Sequence, residues 1–151
     1  LVIHNISLPP DEFDTPYIEL FFQNKLPYDA HPYFEHLKGV EVSAHFLIKR
    51  HGQIIQFVSC DDRAWHAGAS EFCGEHDCND FSIGIELEGG DTTAYTSEQY
   101  QALLDITSSI QAAYPAILKN RITGHQDIAP GRKTDPGESF DWPRYLGKLP
   151  V

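Results

Sequence analysis

Residues 123–137, TGHQDIAPGRKTDPG, gather a histidine, a lysine and an aspartate into a stretch with two prolines and three glycines. Pro136 disfavours helical backbone at Asp135, and Pro130 with Gly131 stops a helix arriving from the other side, so the segment reads as a shaped loop. Lys133 and Asp135 lie two apart and project the same way from extended backbone. The spacer between His125 and Asp135 is flexible enough to bring both to one point. A neutral imidazole with a carboxylate is a common pair of zinc ligands, and a catalytic zinc needs a third. Spacing does not supply it. A surface salt bridge between Lys133 and a carboxylate, with His125 merely nearby, accounts for the same residues.

The elements that must position such a loop are legible in part. LVIHNIS alternates and carries β-branched residues, which predicts a strand with His4 on it. AHFLIKRHGQIIQFVS reads as two strands joined at His51-Gly52. SIGIELEG is a further strand, with Glu86 and Glu88 on one face. TSEQYQALLDITSSIQAAY is the clearest helix. Thr96 and Gln99 form a capping box, Tyr100, Leu103, Leu104, Thr107 and Tyr114 share a stripe, and Pro115 follows the end. With a short helix near FDWPRYL, the pattern predicts an α/β fold, a central mixed sheet flanked by helices.

A chain of 151 residues, 41% hydrophobic, has material for one core, so residues 1–151 are expected to form a single domain containing the whole site. Its formal charge of -11 argues against a broad grip on nucleic acid or anionic membrane. No apolar run is long enough to span a bilayer. Cys60, Cys73 and Cys78 are odd in number and make no disulfide framework, so they read as free thiols in a reducing, cytoplasmic compartment. The chain has no Met, and Leu1 already lies in a strand-like run, so a native N-terminal segment is expected to be missing.

Six stretches taken together, LVIHNISLPP, AHPYF, VSAHFLIKR, RAWHAG, CNDFSIGIELEG and TGHQDIAPGRKTDPG, resemble the zinc-dependent N-acetylmuramoyl-L-alanine amidases from residue 1 to about 145. The likeness is to the branch acting in the bacterial cytosol on 1,6-anhydro-N-acetylmuramyl peptides during cell-wall recycling. It implies one zinc on His4, His125 and Asp135, with Glu86 and Lys133 as catalytic groups. The substrate implied is an anhydro-muropeptide, cut between the lactyl group of the sugar and L-alanine. The chain is expected to act as a monomer.

The chemistry of those residue types agrees. Two histidines and one carboxylate leave zinc at net +1 with an open position for water. A glutamate on an internal strand can be desolvated enough to move the proton, and a lysine can stabilise an oxyanion. The chain departs from wider relatives with a GYHF-like pattern by having SAHF, with Ala44 in place of the tyrosine. Glu86 is therefore the expected proton carrier.

Asn5 is a candidate partner for a substrate amide, Trp65 and His66 for packing sugar or peptide, and Arg63 and Arg132 for substrate carboxylates. His66 reads equally as a core residue, and His45 as a core residue or one supporting the site. His31, His36 and His51 look like surface or turn positions. CGEHDC could ligate metal through Cys73, His76 and Cys78 if His66 joined, but its spacing fits no common zinc pattern and a solvated loop is expected. Two other functions use the same residues: a module that binds muropeptides without cutting them, and a domain in which zinc is purely structural.

Overall fold

The computed structural model describes residues 1–149; the expected domain span therefore ends in two residues outside the description. Strand β1 is Val2–Ile6, helix α1 Tyr17–Phe22, and a 3-10 helix covers Pro32–Leu37. Strands β2, Phe46–Ile48, and β3, Ile54–Gln56, pair antiparallel as the expected hairpin. Gly52 supplies the turn with φ of 88°, a conformation glycine adopts without steric cost. Strands β4, Glu71–Phe72, and β5, Glu75–His76, make a small separate ribbon. Strand β6 is Gly84–Glu88 and helix α2 is Ser97–Ala113. Then come β7, Thr123–Gly124, α3, His125–Ile128, and α4, Trp142–Leu146.

The main sheet has the order β3-β2-β6-β1-β7. β6 is central and runs parallel to β2 and β1, β1 runs parallel to β7, and only the β2–β3 pair is antiparallel. The mixed sheet is the predicted class. Its two faces divide by residue parity. Ile3, Ile85 and Leu87 turn to one side, where Leu103, Leu104 and Ile110 of α2 and Tyr145 of α4 close a buried core. Truncating a residue such as Leu103 there costs ~2–5 kcal/mol. Leu47 turns to the other side against Ile18, Phe21 and Phe22 of α1 and Phe34 of the 3-10 helix. His4 and Glu86 share that second face.

The capping box at Thr96 and Gln99 forms as read. Two expectations need correction. The 123–137 segment is not loop throughout: Thr123 and Gly124 add to the edge of β1, and His125–Ile128 make a helical turn before Pro130 ends it. The Asp127 carboxylate accepts from the Gly124 N–H at 3.0 Å, the local bond that starts the turn. The CGEHDC stretch is exposed from Cys73 to Asp77 but is not all loop: it carries the turn and second strand, β5, of the small ribbon, and its Cys78 is buried, packed with Val2, Ala67 and Ile128. An apolar thiol beside aliphatic neighbours behaves as a small core residue.

Candidate active site

His4 enters the site from the centre of β1, and the parallel register sets Glu86 of β6 directly beside it. His125 starts α3, immediately after the β7 residues that pair with Val2 and Ile3. Asp135 lies on the loop behind α3. That loop is held by three bonds: Gln126 N–H to the Asp135 carbonyl at 2.8 Å, and the Tyr95 hydroxyl and Asn5 amide to the Pro136 carbonyl at 2.7 and 3.2 Å. Gly137 next to it has φ of 81°, and a side chain there would meet Asp91 backbone.

The three expected ligands converge. His4 Nδ1 lies 2.9 Å from His125 Nδ1, and each is 3.1 Å from Asp135 Oδ2. Among the described residues this is the one group of His, Cys, Asp or Glu so arranged. Donors bonded to a tetrahedral zinc at about 2.0–2.1 Å lie roughly 3.3 Å from one another, so the triangle is close to the size the metal requires. Burial pushes the His4 imidazole down to about 4, with Asp135 opposing, so it is neutral at pH 7. His125 Nε2 sits 2.9 Å from the Ala67 carbonyl, which can only accept, so that nitrogen carries the proton and Nδ1 presents a lone pair. Donor type, spacing and burial therefore fit zinc. Cys73, His76 and Cys78 form no such group.

Glu86 Oε1 stands 4.0 Å from His4 Nδ1, while Oε2 is buried with no hydrogen-bond partner among the described residues. Burial raises its carboxyl well above the usual range, the Asp135 charge adds to this, and Lys133 opposes it. Lys133 is exposed and lines the same cleft as Glu86, His125 and Asp135. That cleft holds about 570 Å³, the size of a small-ligand site.

The other nominated residues fall in different places. Trp65 is 57% exposed at the cleft, with the Arg63 guanidinium 4.1 Å over its ring. Arg63 also pairs with Asp80 at 2.9 Å. Arg132 donates from Nη2 to the Ala67 and Ala69 carbonyls at 2.6 and 2.8 Å, so that nitrogen braces the chain rather than facing a ligand. Asn5 donates to Asp91, Tyr95 and Pro136 and acts within the wall of the site. His66 is buried against His4, with neither ring nitrogen left for a substrate. His45 is buried and accepts from the Gly84 N–H while facing the Asp62 carbonyl, bridging a loop to β6. His36 and His51 are exposed, and His31 is half-buried, its Nδ1 accepting from Tyr33 N–H at the start of the 3-10 helix. Asn79, Ser82 and Tyr95 also hold the site, and nothing in their local spacing announces them.

The chain is similar in sequence and fold to known proteins. The family model described as N-acetylmuramoyl-L-alanine amidase matches residues 1–138. The chain is 58% identical over 145 residues to the 1,6-anhydro-N-acetylmuramyl-L-alanine amidase AmpD of Salmonella typhimurium strain SL1344, covering 96% of this chain and 77% of that protein. A crystal structure of a Se-Met AmpD derivative superposes with a TM-score of 0.94 at 55% identity, over 97% of this chain and 81% of the other. The Escherichia coli amidase AmiD, in complex with anhydro-N-acetylmuramic acid-L-Ala-D-gamma-Glu-L-Lys, superposes with a TM-score of 0.70 at 31% identity, over 97% of this chain and 55% of its own. With the family match running through His4, Glu86, His125 and Asp135 and the fold shared almost end to end, the chain belongs to the N-acetylmuramoyl-L-alanine amidase family.

Proposed function

We propose that the chain hydrolyses the amide between the lactyl group of 1,6-anhydro-N-acetylmuramic acid and the L-alanine of its stem peptide, with one zinc on His4, His125 and Asp135. It is an amidase of the kind that its relatives' names describe, and those names supply the substrate. The observation that carries a catalytic rather than a binding role is Glu86. Among the described residues its buried Oε2 has no hydrogen-bond partner and no lysine or arginine pairs with the carboxylate, which lies on the face that holds the ligand triangle. An unpaired buried carboxylate is costly in a purely structural position.

Zinc held by the triangle would supply Lewis acidity and bring the proton affinity of water down toward neutrality. Glu86 then accepts a proton at Oε1, the oxygen on the side of His4 Nδ1, from the attacking water and delivers it to the departing amide nitrogen; burial has already raised its proton affinity. The water oxygen joins the lactyl carbonyl carbon, the carbon–nitrogen bond breaks, and the alanine leaves as an amine. Lys133 sets a positive charge beside the developing oxyanion. Trp65 and the 570 Å³ cleft give sugar and peptide an apolar wall.

The reading extends to a cytoplasmic monomer acting on soluble wall fragments. Cys60, Cys73 and Cys78 are unpaired thiols, as a reducing compartment leaves them, and among the described residues no helix is long and apolar enough to cross a membrane. Mass spectrometry of products from a defined anhydro-muropeptide tests the bond. Intact stem peptide and free anhydro-sugar, together one water heavier than the substrate, are expected. Cleavage within the peptide, loss of the acetyl group, or equal rates on insoluble wall would overturn the corresponding part.

A further inference from the structure

A histidine offers a metal one nitrogen only if its proton is kept on the other. For His125 that is done by the Ala67 carbonyl, 2.9 Å from Nε2. For His4 the neighbour of Nε2 is His66 Nδ1, at 2.9 Å, and another imidazole can either donate or accept. The next link decides. His66 Nε2 lies 3.2 Å from the Ser82 hydroxyl oxygen, which is itself 2.5 Å from the Cys78 carbonyl. Two oxygens at that distance need a proton between them, and only the serine has one to give. Ser82 therefore donates to Cys78 and accepts from His66 Nε2–H. His66 Nδ1 is left as a lone pair, which takes the proton of His4 Nε2–H, and His4 Nδ1 is bare toward the metal position.

The two devices share one support. The backbone N–H groups of His66 and Ala67 both donate to Asn79 Oδ1, at 3.0 and 2.7 Å, and Asn79 is itself buried. The His66 ring lies flush on Gly84 of β6, where an added Cβ would come within 2.5 Å of Cγ and Nδ1. His45 makes a similar pair of bonds, but its chain ends on Gly84 and Asp62 and does not reach the ligands.

We propose that His66 and Ala67, pinned by Asn79 and polarised through Ser82, form a positioning element that fixes the proton of both ligand histidines on Nε2 and so presents both Nδ1 lone pairs to the metal. The element contributes nothing to the reacting atoms. Its effect is on metal affinity and on the tautomers, which separates it from the choice of substrate.

The test measures zinc affinity of the full chain by chelator competition and follows imidazole tautomers by proton–nitrogen correlation NMR in metal-free and zinc-loaded protein. His66→Phe keeps a ring of similar size but removes the acceptor; zinc affinity should fall about 10- to 100-fold, with His4 showing mixed tautomers and His125 unchanged. His66→Asn places Oδ1 where Nδ1 stood and should recover most of the affinity. Asn79→Ala should disturb both ligand histidines. Ser82→Ala, the mildest change, should lower affinity less, in the same direction, and decides the matter if the Phe variant does not fold. Unchanged affinity and His4 tautomer in His66→Phe or, failing that protein, in Ser82→Ala would overturn the assignment, as would His66→Asn binding no better than His66→Phe. The proposal rests on the metal reading above. Failure of the wild-type chain to bind zinc would sink that reading alone, because the tautomers of the metal-free protein still report on the positioning element.

Discussion

Glu86 and Glu88 lie two residues apart on β6, point from the same face and are 9% and 0% exposed, yet they stand in opposite electrostatic settings. Glu88 is enclosed by partners. Lys49 Nζ is 2.6 Å from its Oε2, the Asp14 N–H donates to its Oε1 at 3.0 Å, and the same lysine reaches the Thr15 carbonyl at 2.9 Å and Glu19 at 3.3 Å. This closed cluster ties the segment before α1 to the sheet. Glu86 faces the ligand triangle with one oxygen unpartnered and its charge disfavoured by burial. Burial alone thus does not distinguish the two carboxylates, and neither does an oxygen without a hydrogen bond, since Oε2 of Glu88 lacks one as well; the difference is that a lysine ammonium is paired with Glu88 and, among the described residues, no lysine or arginine is paired with Glu86.

The largest effect on this contrast comes from emptying the open end of the face. Asp135→Ala should release zinc and reduce amide hydrolysis to background, as should chelation, with recovery on zinc addition only in the wild-type chain; metal analysis and turnover on an anhydro-muropeptide check this. Zinc retained at full stoichiometry in Asp135→Ala would move the centre elsewhere.

Glu86→Gln comes next. Turnover should fall by two to four orders of magnitude, roughly the span of general acid–base catalysis, with zinc content and circular dichroism unchanged. Lys133→Met should lose about two to three orders in the same assay, the scale of one oxyanion donor. Glu86 also carries a stability signature in the metal-free protein. Its folded carboxyl is raised, so the folded state holds a proton that the unfolded chain releases, and stability is fullest below the ordinary value of 4.5 and is lost as pH rises through the raised one. Over the same range the buried, neutral His4, His45 and His66 add an upward slope, so denaturant titrations from pH 4.5 to neutrality should show stability rising less steeply with pH in the wild-type chain than in Glu86→Gln. Equal slopes would mean that Glu86 finds a partner in solution.

At Glu88 the smaller effect should appear in the other observable. Glu88→Gln leaves Lys49 buried beside a weaker partner and should cost ~3–5 kcal/mol of stability, while turnover per folded molecule stays near wild type. Pairing it with Lys49→Met should recover most of that loss, because the stranded charge has gone. A catalytic defect as large as that of Glu86→Gln would erase the distinction between the two carboxylates.

The legibility of the sequence followed the same division between local and distant causes. β1, the β2–β3 hairpin, β6 and α2 were readable because alternation, Gly52 and the Thr96–Gln99 box act over a few residues. Thr123–Gly124 escaped because its strand character comes from pairing with Val2 and Ile3, more than a hundred positions away. The candidate ligands were a different matter. The spacing of His125 and Asp135 left a salt bridge open, and resemblance alone brought in His4; the geometry then set all three within hydrogen-bond range of each other. RAWHAG left His66 open between cleft and core; both Trp65 and His66 lie at the cleft, but His66 is buried with its ring nitrogens engaged, a direction set by anchors such as Asn79 that local sequence does not show. Arg132 looked available to a ligand for the same reason, and only the folded chain reveals the carbonyls it meets.

The pairing of His4 with Glu86 across the β1–β6 ladder has one more consequence. Side chains alternate along a strand, so a slip of β1 by a single residue would send His4 into the α2 core and bring Ile3 or Asn5 to the metal position. No half-functional register exists between these outcomes. The apolar core and the reactive face proofread one another, and a molecule that binds zinc and turns over substrate is by that fact one whose central strands have locked in the native alignment. Catalytic titration of a preparation therefore counts correctly threaded chains.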